Sequence, residues 1–189
     1  MSPTKLPTLE TERLLLRPFE TTDAARIALL AGDREIAATT LRIPHPYKEE
    51  DAVKFIQAVG KEILKGKSAV FAIILKETGE LIGSIGLHID KDHENAEMGY
   101  WVGKPYWGKG YCTESASKIL EYGFNNRNLH KIHAHFMECN PASGRVMEKI
   151  GMFCEGTLRE HVKKWGEFMN MICYSILIQE FRGQNGNSS

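Results

Sequence analysis

The chain has 189 residues, a length that suits one domain around one core better than two domains sharing it. Hydrophobic residues make up 42% and charged residues 25%, a balance that excludes a disordered chain. Lys+Arg and Asp+Glu are equal at 24 each, so no global field exists to hold a nucleic acid or an anionic membrane surface. Cys112, Cys139, Cys154 and Cys173 are scattered without a C-x-x-C pair. Neither a disulfide framework nor a zinc site is expected, no metal is assigned, and the cysteine usage fits a cytoplasmic, reducing compartment. Residues 1–11 hold no apolar core of a signal peptide, and no apolar run is long enough to cross a bilayer. One domain is expected over residues 9–181, with 183–189 a flexible polar tail.

Residues 13–17 are short and apolar, end at Pro18, and read as a first strand. From Thr22 or Asp23 the pattern turns helical, with Ala24, Ile27, Ala28 and Ala31 on one face and Gly32 as a stop. Residues 43–47 carry Pro44 and Pro46, which exclude a helix there. A second helix is predicted over about 49–65. The rhythm then changes to period two: residues 68–76 and 81–89 read as an antiparallel hairpin across Glu77-Thr78-Gly79-Glu80, and 96–102 as a third strand. A helix is favoured from Thr113, and 131–137 is a further strand. Asn140 can cap a helix that has Pro141 at its first position, Val146, Met147 and Ile150 on its apolar face, and Gly151 as its stop. Two strands joined around Trp165-Gly166 close the chain, the last running to about Ile178.

The segment from Tyr100 to Glu114 carries the strongest chemical signal. A strand runs into Gly108 and Gly110, and a helix starts at once. Such glycines let several backbone N–H groups converge on one anion, and the helix N-terminus adds partial positive charge, a recipe for binding phosphate or pyrophosphate. Three loop types compete. Gly103-x4-Gly108-Lys109 imitates a P-loop, yet Gly110 stands where a hydroxyl must hold magnesium. Gly108-x-Gly110 imitates a dinucleotide fingerprint, yet the third glycine position is Thr113 and the loop lies late in the chain. The third is the acetyl-CoA loop of the GNAT superfamily, Gln/Arg-x-x-Gly-x-Gly/Ala, which Trp107-x-x-Gly110-x-Cys112 matches with two substitutions.

Five short segments in order are similar to those of the GNAT branch that includes the ribosomal-protein N-terminal acetyltransferases. They are residues 12–17, 83–86, 97–101, 106–111 and the pattern Asn140-x-x-Ser143-x-Arg145-Val146-x-Glu148-Lys149-x-Gly151. The resemblance covers Leu9 to about Phe181. It implies an α/β (α+β) GNAT fold, a mixed, strongly twisted sheet of about six to seven strands flanked by about four helices. The sheet would splay open between strands 96–102 and 131–137, with the pantetheine arm in the split, bonded to the backbone near Trp101 and Val102. Acetyl-CoA would be held by Trp107, Gly108, Lys109, Gly110, Tyr111, Cys112 and Thr113, with Asn140 and Ser143 at the pantetheine.

The implied reaction is direct attack of a primary amine on the thioester carbonyl, with CoA thiolate leaving and the fold supplying positioning and oxyanion donors. Glu97 would take the amine proton. Met147 stands where many GNAT enzymes carry a tyrosine acid, so Ser143 or solvent would protonate the thiolate. His45, Tyr47 and Glu138 would border the acceptor. Plainer roles stand beside these: Asn140 as a helix cap, Glu138 as a solvated carboxylate, and His133 and His135 as polar strand residues sharing a face. A protein N-terminal amine is the favoured acceptor, since its ordinary pKa of about 7.7–8.0 makes it easier to deprotonate than lysine at about 10.4. Polyamines, amino sugars and small amines stay open, as does a non-catalytic CoA-binding regulator. A homodimer is the assembly the resemblance suggests.

Overall fold

Residues 69–75 form an unbroken apolar run. In the computed structural model, which describes residues 6–186, they lie within β3 (Ser68–Leu75), a strand buried at every position. A run without polar alternation needs cover on both faces, and here helices supply it. β3 sits between β2 (Leu14–Arg17) and β4 (Leu81–Asp90), both antiparallel to it, and the two-residue β1 (Leu9–Glu10) pairs outside β2. The sheet continues through β5 (Asn95–Val102), β6 (Lys131–Met137), β8 (Glu167–Leu177) and β7 (Phe153–Lys164). That makes eight strands among the described residues; the addition to the expected six to seven is β1, too short for period-two alternation to reveal.

On one face, α1 (Ala24–Ala31) and α3 (Glu49–Leu64) pack Ala24, Ile27, Leu30 and Ala52 against Ala72, Ile74 and Leu81. On the other, α4 (Tyr111–Asn126) and α5 (Pro141–Lys149) bring Ala116, Ile119, Leu120 and Met147 to a core containing Phe71, Ile85, Leu87 and Ala134. Two helices lay outside the sequence reading. α2 (Arg34–Thr39) begins at Asp33, whose side chain accepts from the Glu35 N–H at 2.8 Å; at six residues it is too short to show a helical period. α6 (Ile178–Gly186) takes up residues 183–186, which composition marks as tail. Gln184 helps to hold it, donating to the Gly151 carbonyl at 3.1 Å. Residues 187–189 lie outside the described part.

The feature that positions a site is the junction of β5 and β6, the one parallel pairing among the described strands. It spans only three pairs, Asn95–Lys131, Ala96–Ile132 and Glu97–His133. Beyond them β5 continues to Val102 and β6 to Met137 unpaired with each other, so the sheet forks as expected. Backbone N–H and C=O groups on the two facing edges are thereby left for another partner.

Candidate active site

The glycine loop follows β5 directly. Gly108 and Gly110 have φ of +73° and +82°, the left-handed region where a side chain is strained. Among the described residues, no atom beyond its chain neighbours stands within 4 Å of where a Gly108 side chain would begin, so the backbone is open to a ligand there. α4 starts at Tyr111, and Glu114 N–H makes its first turn's bond, to the Gly110 carbonyl at 3.0 Å. The N–H groups of Tyr111, Cys112 and Thr113 therefore have no intrahelical acceptor, and they stand at the positive end of a sixteen-residue helix. The arrangement fits a pyrophosphate. Trp107 is fixed by its indole N–H, which donates to the Val102 carbonyl at 2.6 Å. Burial pushes the Cys112 thiol up to about 12, so it is a small neutral wall of the loop and not a nucleophile.

Across the fork, Tyr100 of β5 meets Ser143 of α5: the two hydroxyls are 2.8 Å apart, and the phenol also donates to the Ser143 carbonyl at 3.1 Å. Burial raises the Tyr100 pKa, so the phenol holds its proton. Asn140 is at the N-cap position of α5 but makes no side-chain capping bond; its Nδ2 donates instead to the Thr39 carbonyl at 3.3 Å. The plain capping role is thus not what its amide does. Met147 is buried beneath the fork.

On the α1/α3 side, four polar residues from four segments converge. Glu97 lies 3.4 Å from His135 Nε2 and 3.5 Å from Arg42 Nη2, and Arg42 Nη1 is 3.4 Å from His88 Nε2. Interaction with His135 brings the Glu97 carboxyl down to about 2, outweighing burial and assisted by Arg42 and His88. A carboxylate so stabilised is a weak proton acceptor near neutrality, which bears on the role the sequence suggests for it. His133 stacks on His135 with ring centroids 5.7 Å apart, and burial lowers the pKa of both His133 and His88. No group of three or more metal-ligating side chains is found among the described residues.

A single cleft of about 1060 Å³ joins these parts, passing from the glycine loop through the fork to the underside of α3. It brings together Glu97, Trp101, Val102, Trp107, Gly108, Gly110, Tyr111, Cys112, Thr113, Asn140, Ser143 and Tyr47 from the sequence reading. Three residues of that reading do not line it. Lys109 contributes its carbonyl to Arg13 at 3.0 Å and places its ammonium 5.7 Å from the Tyr106 ring centroid. His45 is exposed on the loop, whose Arg42, Ile43 and Pro44 face the cleft in its stead. Glu138, just past β6, accepts from the Asn170 N–H and Nδ2 at 3.3 and 3.0 Å, so it ties the end of β6 to β8 and is not a free carboxylate. The sequence reading missed Arg42, His88 and Tyr100. Tyr100 falls on the opposite face of β5 from Glu97. His88 is the cross-strand partner of Glu97 in the β4–β5 hairpin, a register that the sequence does not fix, and nothing local ties Arg42 to either strand.

A forked parallel pair with an anion-binding glycine loop at its open end defines an acyl-transfer scaffold for a nucleotide-linked thioester. Residues 13–153 match the acetyltransferase (GNAT) domain family, and the chain belongs to that family of acetyltransferases. It is 34% identical over 180 residues to an uncharacterized N-acetyltransferase of Bacillus licheniformis, covering 94% of this chain and 100% of that protein. It is 37% identical over 176 residues to the uncharacterized N-acetyltransferase YnaD of Bacillus subtilis, covering 92% and 98%. The crystal structure of a GNAT-family acetyltransferase from Bacillus anthracis superposes with a TM-score of 0.81 at 31% identity, covering 92% and 99%. The activity is acetyl-CoA-dependent acetyl transfer. Among the described residues no helix is long and apolar enough to cross a membrane.

Proposed function

We propose that the acceptor is the N-terminal amine of a protein or peptide, held on the α1/α3 side of the fork. The observation that carries this choice is Arg42, whose guanidinium stands 3.5 Å from Glu97 in the acceptor half of the cleft. A cation there repels a polycationic acceptor but can donate to the carbonyls of a peptide entering amine first. Bound acetyl-CoA supplies the activated acetyl thioester. The N–H groups of Tyr111, Cys112 and Thr113 would hold its pyrophosphate, and the open edges of β5 and β6 would hold the amides of its arm. Ser143, backed by Tyr100, is the hydroxyl assigned to protonating the departing sulfur. Glu97 holds the amine end of the acceptor.

A polyamine acceptor is the second reading. Asp51 and Glu62 also line the cleft. A spermidine N(1)-acetyltransferase of Vibrio cholerae is 29% identical over 170 residues, covering 89% of this chain and 95% of that protein. Incubation with acetyl-CoA and a mixture of peptides and polyamines, followed by tandem mass spectrometry, separates the two. Acetyl groups on peptide α-amines are expected. Acetylation of spermidine with peptides untouched would overturn the choice.

A further inference from the structure

We propose that His135, held by Glu97, is the residue that takes the proton from the acceptor amine. This rests on the acetyl-transfer reading and deepens it, because the sequence alone points to Glu97 for that step. The argument begins with the fork. Glu97 and His133 form its last pair, and His135 is the next residue on the same face of β6, at the place where the strands part. Both Glu97 and His135 are about one-third exposed at the cleft, with side-chain exposures of 31% and 32%. The His135 ring presents Nε2 to the carboxylate, and Nδ1 has no hydrogen-bond partner among the described residues.

That is the arrangement in which a carboxylate orients an imidazole and stabilises its protonated form, leaving the second nitrogen to act as base. The separation of 3.4 Å needs to close by only a few tenths of an ångström to become an ordinary hydrogen bond, as catalytic contacts often do on substrate binding.

The other candidates are less suited. Glu97 itself is stabilised as the anion by His135, Arg42 and His88. His88 points Nε2 at the Arg42 guanidinium, 3.4 Å away. His133 does not line the main cleft and lies between His135 and the ion pair of Lys131 with Glu155. The charged and titratable groups around His135 include Glu97 of β5, His88 of β4, Arg42 after α2, His133 and Lys131 of β6, its cross-strand partner Cys173 of β8, Glu155 of β7, and Glu62 of α3 beyond His88.

The proton balance is simple. The ammonium N–H bond breaks, and the proton joins the lone pair of His135 Nδ1. The imidazolium so formed faces the Glu97 carboxylate and later releases the proton to solvent. The freed amine forms its N–C bond to the acetyl carbon as the C–S bond breaks, and the nitrogen's surplus proton goes to the sulfur.

The test combines rates with a readout that needs no turnover. Ring-nitrogen NMR of the free protein should show His135 in the Nε2–H form with Nδ1 unprotonated at neutral pH. His135→Gln, checked for an unchanged melting temperature and acetyl-CoA affinity, should lose about a hundredfold or more in kcat at neutral pH, and less at high pH where free amine is abundant. Glu97→Gln, whose amide oxygen can still accept from Nε2–H, should lose less than about a hundredfold in kcat, whereas a larger loss would return the base role to Glu97; this variant decides the matter if His135→Gln does not fold. A folded His135→Gln enzyme with wild-type kcat and pH profile, or an Nδ1–H tautomer in the NMR spectrum, overturns the proposal. Wild-type protein that acetylates no amine would instead contradict the acetyl-transfer reading, and the NMR result would still stand on its own.

Discussion

Arg13 and Glu114, 101 residues apart in the chain, form an ion pair in which the Arg13 Nε and Nη2 atoms both lie 2.7 Å from Glu114 Oε2. Glu114 Oε1 also accepts from Thr11 Oγ1 at 2.6 Å and from the Arg13 N–H at 2.8 Å. Arg13 Nη1 reaches the Lys109 carbonyl at 3.0 Å. Arg13, the residue just before β2, thus fastens the glycine loop from outside. Its own side chain is 44% exposed, which limits the energy of the pair.

Glu114→Ala should therefore loosen the loop without unfolding the domain. A loss of ~1 kcal/mol in loop ordering corresponds to about fivefold weaker acetyl-CoA binding. Titration calorimetry on the variant checks this; unchanged affinity would show that the loop is ordered without the pair.

The glycine at the start of α4 gives a stronger effect. Gly110 has φ of +82°, so a β-branched side chain there is strained wherever it points. Gly110→Val should keep the fold and bind acetyl-CoA at least ~10-fold more weakly, the equivalent of about 1.4 kcal/mol. Affinity equal to wild type in a folded Gly110→Val protein would remove the loop from the site.

Ligand specificity of the loop follows from what it lacks. Gly110 offers no hydroxyl where a P-loop holds magnesium. CoA at about 100 times its Kd should stabilise the protein by about 2.7 kcal/mol and raise its melting temperature, whereas Mg-ATP should do little. A larger shift with Mg-ATP than with CoA would contradict the assignment of this loop.

Much of the fold was legible because its signals are local. The glycine loop, the β3–β4 hairpin, the Trp165-Gly166 turn and the α5 boundaries each announce themselves within a dozen residues. The fork was legible through resemblance, and the three-pair ladder between β5 and β6 bears it out. What stayed hidden is long-range. Arg42 meets Glu97 across 55 positions and His88 across 46, and only the folded sheet brings them together. Asn140 reads as a cap because its neighbours make a capping pattern, but the Thr39 carbonyl that takes its amide belongs to a helix too short to recognise.

Glu97 also makes an acid-stability prediction. Its folded value of about 2 lies below the ordinary ~4.3 of an unfolded glutamate. A lowered carboxyl pKa stabilises the fold above the unfolded value, and the contribution disappears as pH falls from ~4.3 toward 2. Melting temperatures of wild type and Glu97→Gln should therefore converge as pH is lowered through that window. A constant difference across it would show that the carboxylate is not held by His135 and Arg42 in solution.

The central claim is that the fork and its glycine loop transfer acetyl from acetyl-CoA to an amine. The most direct measurement is thiol release from acetyl-CoA across a panel of amines that includes N-terminal peptides of ribosomal proteins, polyamines, amino sugars and small amines. Release that depends on the amine, is saturable, and is matched by acetylated product is the predicted result. Tight acetyl-CoA binding with no amine-dependent release from any member of the panel would contradict it.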